Sequence, residues 1–347
     1  MREILGMEFL MLSVSSQSLR RAAVLTLCAF GFASTALAAK LPQLVLSGPG
    51  AIVSVPLVHM VDSGALAELS DHVSFVQWRD PDQLRVMALG GKTDVLATPS
   101  NVAANLYNRG APIKMLDIST WGALWMVSRD PNKKTLADFR GEEIAMPFRG
   151  DMPDIVFQLL AAKQGLDVHK DFKLRYVASP IDAMQLLIMR RTDNALLADP
   201  AVSMALRKTK SFPLQLVAPT LYRSVDLQKE WGRLFNRRAR IPQAGLAVVG
   251  ALRKNPEAMA KIEAAYAHST VYCSQHALEC GQIMAKHVPM LSAQAVADAI
   301  AVSQMEVVPM PQARPELTFF FQQLEAKSPA LIGGKLPDDG FYAPIKP

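Results

Sequence analysis

The 347-residue chain is poor in cysteine, histidine and aromatic residues: three Cys, six His, and Phe, Trp and Tyr together 7%. Three cysteines cannot form a disulfide framework that carries the stability of a chain this long. Charged residues are only 20% and the net charge is +6. The basic side chains are scattered rather than gathered on one segment, which disfavours a nucleic-acid partner. Common catalytic signatures are missing too. Gly91-Lys92-Thr93 imitates the end of a phosphate-binding loop, but Val86 stands where the first glycine belongs, and the segment follows a helical pattern instead of a strand. Gly48-x-Gly50 lacks the third glycine of a dinucleotide turn, because position 53 is Val53. There is no G-x-S-x-G and no H-E-x-x-H.

Apolar mass is abundant. Half of the residues are hydrophobic, enough for one large or two medium domains with a real core. Disorder and collagen-like repeats are excluded on the same ground. The first apolar run, Ala22–Leu37, follows Arg20-Arg21 and ends in Ala36-Leu37-Ala38-Ala39. A positive patch, a short apolar stretch and an A-x-A exit describe a secretory leader over residues 1–38. An uncleaved anchor is the other reading of that run, at the short limit for a span. Met7 or Met11 can serve as the start, twin-arginine export is compatible with Arg20-Arg21, and Cys28, behind bulky Leu27, makes a poor lipid attachment site. Beyond the leader no apolar stretch is long enough to span a bilayer. A soluble, monomeric protein of the bacterial periplasm is expected.

Strand and helix patterns then alternate. Leu44–Leu46, Val73–Val76, Asp94–Ala97 and Ile113–Leu116 read as strands, separated by helices over Ile52–Leu66, Asp80–Leu89 and Asn101–Asn108. Ala123–Ser128, after a polar break at Ser119-Thr120, reads as a crossing strand into a second lobe. There the pattern restarts with strands Glu143–Met146, Leu174–Val177, Ala195–Ala198 and Leu214–Val217. Helices over Pro153–Gln164 and Ile181–Arg190, and a third opening at Asp199-Pro200, lie between them. Ala244–Val249 is apolar and β-rich; lying antiparallel beside Leu124–Ser128, it would return the chain to the first lobe. Helical patterns follow over Pro256–His268, Gln275–His287, Ala293–Gln304 and Arg314–Lys327. The expected fold is α/β: two doubly wound lobes joined by two crossing strands, 39–123 plus 251–347 and 124–250, with a helical C-terminal part.

Such an architecture places a cleft between the lobes at the carboxyl ends of both sheets. Three strand-to-helix junctions would face it: Gly48-Pro49-Gly50, Thr98-Pro99-Ser100-Asn101, and Phe148-Arg149-Gly150-Asp151. Free backbone N–H groups at such junctions favour an anion. Ser100 and Asp151 are also preferred capping residues, so capping alone accounts for them equally well. Arg149 is the one cation at these junctions and can clamp an anion bidentately, or pair with Asp151 or Glu142. Ser119, Trp121 and Trp125 stand at the crossing, where aromatic walls suit a ligand and core packing suits a Trp. Asp199, after a buried strand, can accept from a ligand amine or cap its helix.

On Gly90-Gly91-Lys92-Thr93-Asp94-Val95 leading to Pro99, on Thr135-Leu136-Ala137-Asp138-Phe139-Arg140-Gly141-Glu142-Glu143-Ile144-Ala145-Met146-Pro147, and on Asn255-Pro256-Glu257-Ala258, taken in that order behind an export leader, the chain resembles the periplasmic solute-binding proteins of ABC importers. It is similar to the nitrate/sulfonate/taurine and thiamine-precursor-like class with the type II periplasmic binding fold. The resemblance covers nearly all of the chain beyond the leader. It implies two lobes that close on a small solute and deliver it to an inner-membrane permease; from the helix N-termini and Arg149 at the cleft the solute is expected to be anionic or zwitterionic, and no cofactor or metal is expected. A ligand-sensing module for a membrane receptor and a precursor-synthesising enzyme are the rival roles on this fold. The enzyme would be expected to carry a cysteine-rich iron site, which two cysteines beyond the leader do not provide. The segment Phe148-Arg149-Gly150-Asp151-Met152 departs from the Ser/Thr-rich loop of sulfonate binders.

Those two cysteines are Cys273 and Cys280, with His276 between them. On one continuous helix they would lie about 10 Å apart along the axis, too far to bond. A bend near Ser274 makes a disulfide feasible, and an oxidising compartment favours it; free thiols or a Cys/His metal site are the alternatives. Arg233, Arg237, Arg238 and Arg240 form the densest basic patch, either a solvated face or a contact for the permease.

Overall fold

Parallel strands that are buried on both faces read as short apolar runs, and two groups of parallel strands, each with one half-exposed edge strand, build this protein. In the computed structural model, which describes residues 40–218 and 220–344, β1 (Leu44–Gly48) pairs in parallel with β2 (Val73–Gln77) and with β3 (Val95–Pro99). The helices between them are α1 (Val55–Asp62), preceded by a 3-10 turn over Ile52–Ser54, and α2 (Pro81–Leu89); α3 (Ser100–Asn108) follows β3. The leader expected over residues 1–38, with Cys28 and the alternative starts, lies outside the described residues.

The motif recurs. β7 (Glu143–Pro147) pairs in parallel with β8 (Lys173–Val177) and β9 (Asn194–Ala198), with α4 (Met152–Lys163), α5 (Pro180–Ile188) and α6 (Ala201–Lys210) following the three strands in turn. Local chemistry sets these helix starts. Asp80 accepts from the Gln83 backbone N–H at 2.8 Å and Pro81 takes the first turn of α2; Ser179 and Pro180 do the same for α5. Gly91, at φ +64°, ends α2 in the left-handed region that a side chain would resist.

The remaining strands are β4 (Ile113–Met115), β5 (Asp117–Gly122), β6 (Leu124–Ser128), β10 (Tyr222–Asp226), β11 (Ala244–Val249) and β12 (Gln304–Pro309). One sheet runs β12-β5-β11-β3-β1-β2, with β4 also on β11; the other runs β10-β6-β9-β7-β8. Each is a parallel core flanked by antiparallel strands: β11 beside β3, and β6 beside β9. The chain crosses from the first sheet to the second between β5 and β6. It returns through α7 (Leu227–Phe235) and the segment before β11. α8 (Pro256–Gln275), α9 (Ala277–His287), α10 (Ala293–Val302) and α11 (Met310–Lys327) complete the fold.

Four expectations are corrected. Ala244–Val249 pairs with β3, β4 and β5, not with Leu124–Ser128, so it belongs to the first lobe and the second ends before it. Leu214–Leu216 is a 3-10 turn; the edge strand is Tyr222–Asp226, whose polar sequence carries no apolar run to betray it. The polar stretch at Ser119-Thr120 is no break but the middle of β5, which is buried throughout: Ser119 is bonded to the Tyr266 hydroxyl and the Trp121 indole N–H donates to the Glu306 carbonyl, while the Thr120 hydroxyl is buried without a partner among the described residues. The last turn expected of the Ala293–Gln304 helix opens β12 instead.

The core is continuous across the lobes. α10 packs on α6, with Ala295, Val296 and Ala299 in one apolar cluster with Val202 and Ala205. On the other flank Phe320 and Phe321 of α11 share a cluster with Phe157 of α4 and Trp231 of α7. Among the described residues no helix is long and apolar enough to cross a membrane.

Candidate functional site

Six strand-to-helix junctions end at one place. The loops after β1, β2 and β3 of the first sheet and after β7, β8 and β9 of the second enclose a cavity of about 420 Å³, within the size range of small-molecule sites. This is the gap outside the carboxyl ends of parallel strands where open α/β folds bind ligands. From the first lobe it takes Pro49, Ile52, Gln77, Trp78, Arg79 and Asp80; from the second, Phe148, Asp151, Met152, Ser179, Ile181 and Asp182. Leu124, Thr120 and Gln243 line it at the crossing.

The walls are largely apolar. The Trp78 ring is buried, with its indole N–H donating to the Ala97 carbonyl at 3.1 Å. Phe148 holds φ at +57°, an uncommon conformation for a bulky residue at the end of β7. Thr120 is only 4% exposed, and its hydroxyl oxygen has no hydrogen-bond partner among the described residues.

Of the residues singled out in the sequence, Pro49, Gly50, Pro99, Phe148, Asp151 and Asp199 line the cavity. Asp151, from the second lobe, pairs with Arg85 of α2 at 2.9 Å. Burial pushes the Asp151 carboxyl above the usual range, and Arg85 opposes that shift. Asp199 is fully buried; it accepts from Arg223 Nη1 at 2.6 Å and from the Ser203 backbone and hydroxyl.

The others lie elsewhere. Arg149 is exposed, lies over the Tyr176 ring at 5.0 Å and is not part of the cavity lining. Gly150, beside it, is exposed and donates to Asp154. Trp121 is core, with Arg240 over its ring at 4.1 Å. Ser119 is bonded to Tyr266. Thr98 is buried and its hydroxyl donates to the Pro99 carbonyl. Ser100 Oγ donates to the Pro242 carbonyl at 2.7 Å instead of capping α3. Asn101 is buried behind it. Gly48 packs against Ser54, so closely that a Cβ would fall 2.2 Å from the Ser54 hydroxyl. The junctions after β2 and β8 were missed as ligand-facing. The signal was present: Asp80-Pro81 and Ser179-Pro180 are helix starts of the same kind as those at the other strand ends.

The crossing is cross-linked by one side chain. Gln228 accepts from the Leu124 N–H at 3.1 Å and donates to the Leu124 carbonyl, while the Gln243 amide donates to Gln228 Oε1 at 2.8 Å. The two crossing segments are also tied directly, Gln243 N–H to the Thr120 carbonyl and Ile241 N–H to the Trp121 carbonyl. Outside the cleft, Cys273 and Cys280 are disulfide-bonded, with Cα atoms 5.5 Å apart. The chain turns at His276, between α8 and α9, and this brings them together. Among the described residues no cluster of three or more His, Cys, Asp or Glu could hold a metal.

Two lobes of like topology, two crossings and a cavity at the seam make this the type II periplasmic binding fold. Solved structures of that fold match nearly the whole chain. An ABC transporter structure from Parabacteroides distasonis superposes with TM-score 0.72 at 21% identity, covering 88% of this chain and 100% of that one. The periplasmic aliphatic sulphonate binding protein SsuA from Escherichia coli gives 0.64 at 15% identity over 88% and 98%. The periplasmic nitrate-binding protein NrtA from Synechocystis PCC 6803 gives 0.64 at 14% identity over 83% and 82%. At these identities the likeness is one of fold. No protein-family model matches the sequence, and no curated protein matches it.

Proposed function

We propose that this protein captures a small organic solute in the cavity between its lobes and presents it to an inner-membrane permease, as the exported, monomeric solute-binding component of an importer. The single observation that carries the reading is the position of the cavity. It is lined from both sheets at their carboxyl ends and from the crossing segments, so a ligand there touches both lobes at once. Such a ligand binds the closed arrangement better than an open one and thereby shifts a hinge equilibrium. The solved structures named above support the role by analogy of fold.

The test is a thermal-shift screen of a small-metabolite library against the wild type and Ala178→Trp. Ala178 lines the cavity and is exposed, so the larger ring fills the gap without entering the core. At least one compound should stabilise the wild type and leave the variant unmoved. Compounds that stabilise both equally, or none at all, would refute the reading.

A further inference from the structure

The sequence suggests an anionic or zwitterionic solute, because helix N-termini point at the cleft. The charges in the cavity argue otherwise. Four carboxylates line it, Asp80, Asp151, Asp182 and Asp199, against one cationic side chain among the described residues, Arg79. The nearby arginines are committed: Arg85 to Asp151, and Arg223 to Asp199.

Four of the six helix ends at the cavity are committed as well; those after β1 and β3 carry no side-chain cap and no acidic residue in the first turn. Asp80 accepts from the Gln83 N–H of α2, and Asp199 from the Ser203 N–H of α6. Asp154 accepts from the Gly150 N–H before α4, and Ser179 from the Asp182 N–H of α5. Each of these four N-termini carries an acidic residue at its cap, just before it or in its first turn, so the partial positive charge that would draw an oxyanion is already answered there.

Two of the carboxylates lack a basic partner among the described residues. Asp80 comes from the first lobe and Asp182 from the second; their hydrogen bonds come from the Gln83 N–H and from the Ser179 hydroxyl. Trp78 and Phe148 also line the cavity, and aromatic rings attract a cation that reaches their faces. The partnerless hydroxyl of Thr120, a buried polar group on the cavity wall, marks a separate point at which a ligand polar atom would be satisfied.

We infer that the solute is an organic cation, a protonated amine or ammonium group on an apolar body, held between Asp80 and Asp182 and the aromatic walls. The inference rests on the capture reading above and adds the ligand's charge.

Matched amine, carboxylate and carboxamide probes on one skeleton test it: 2-phenylethylamine, 3-phenylpropionate and 3-phenylpropanamide, titrated calorimetrically at low salt. The amine should bind at least about tenfold more tightly than the carboxylate, and Asp182→Asn should weaken the amine by about tenfold, as expected when a charge-assisted contact is lost. Asp80→Asn should do likewise while keeping a good helix cap. Tighter binding of the carboxylate, abolished by Ala178→Trp, would overturn the cation assignment and leave solute capture standing. Amine affinity unchanged in both Asn variants would also overturn it. If Ala178→Trp alters the binding of none of the three, or none of them binds, the cation assignment falls, and capture is then judged by the library screen.

Discussion

Arg85 of the first lobe and Asp151 of the second form an ion pair, 2.9 Å from Nη2 to Oδ1, beside the cavity. Asp151 is the more buried partner, and burial alone would favour its neutral form. Removing Arg85 therefore strands a carboxylate that the fold has partly desolvated. Arg85→Ala should lower the melting temperature and shift the ligand-free protein toward a more open shape. Small-angle scattering would register this as a larger radius of gyration. An unchanged radius and melting temperature would remove the pair from the closure mechanism.

Glu263 on α8 is buried, with one carboxyl oxygen unpartnered, and burial lifts its pKa to about 7. Asp117, wholly buried in β5, is also raised, first by burial, with Glu263 adding to the effect. A carboxyl whose folded pKa exceeds its unfolded value favours folding most below the unfolded value, near 4.3, and that contribution is lost as pH rises toward 7. Stability should fall over this interval. Glu263→Gln should raise stability at pH 8 by on the order of 2 kcal/mol and change it little at pH 4. Denaturant melts of both proteins at the two pH values check this; equal effects at both would contradict it.

The sequence made the parallel cores legible because their strands, Leu44–Leu46 or Ala195–Ala198, are short apolar runs between turn residues. It hid Tyr222–Asp226 and Asp117–Gly122, whose stability comes from pairing and tertiary hydrogen bonds rather than from a periodic apolar face. The site divided along the same line. Junctions could be located from strand ends, but Arg149 and Phe148 are adjacent and diverge, one onto Tyr176 outside the cavity and one into its wall. Side-chain direction at a junction is set by a local backbone twist, here the positive φ of Phe148 and Gly150, which no residue pattern announces.

That divergence reverses a simple expectation. An anion clamp at Arg149 would be felt on its removal. Placed over Tyr176, Arg149 should be dispensable: Arg149→Ala should leave solute affinity within about twofold. Calorimetry with any compound found in the library screen measures this. A tenfold loss would mean that the side chain swings into the cleft on binding.

Cys273 and Cys280, both fully buried, close a loop of a few residues across the α8–α9 turn. A loop that short contributes about 2–3 kcal/mol in the chain-entropy view. Mass spectrometry without reductant should find the linked peptides and no alkylatable thiol at either position, and Cys273→Ser with Cys280→Ser should melt several degrees lower. Two free thiols in the untreated protein would refute the bond.

Closure of the two lobes over a solute would show as a change in the distance between them. Leu89 at the end of α2 and Met189 after α5 are exposed and lie on opposite lobes. Spin labels at Leu89→Cys and Met189→Cys, read by pulsed electron paramagnetic resonance, should give a distance distribution that narrows and shortens when a stabilising compound is added. A distribution identical with and without that compound would rule out closure over the solute.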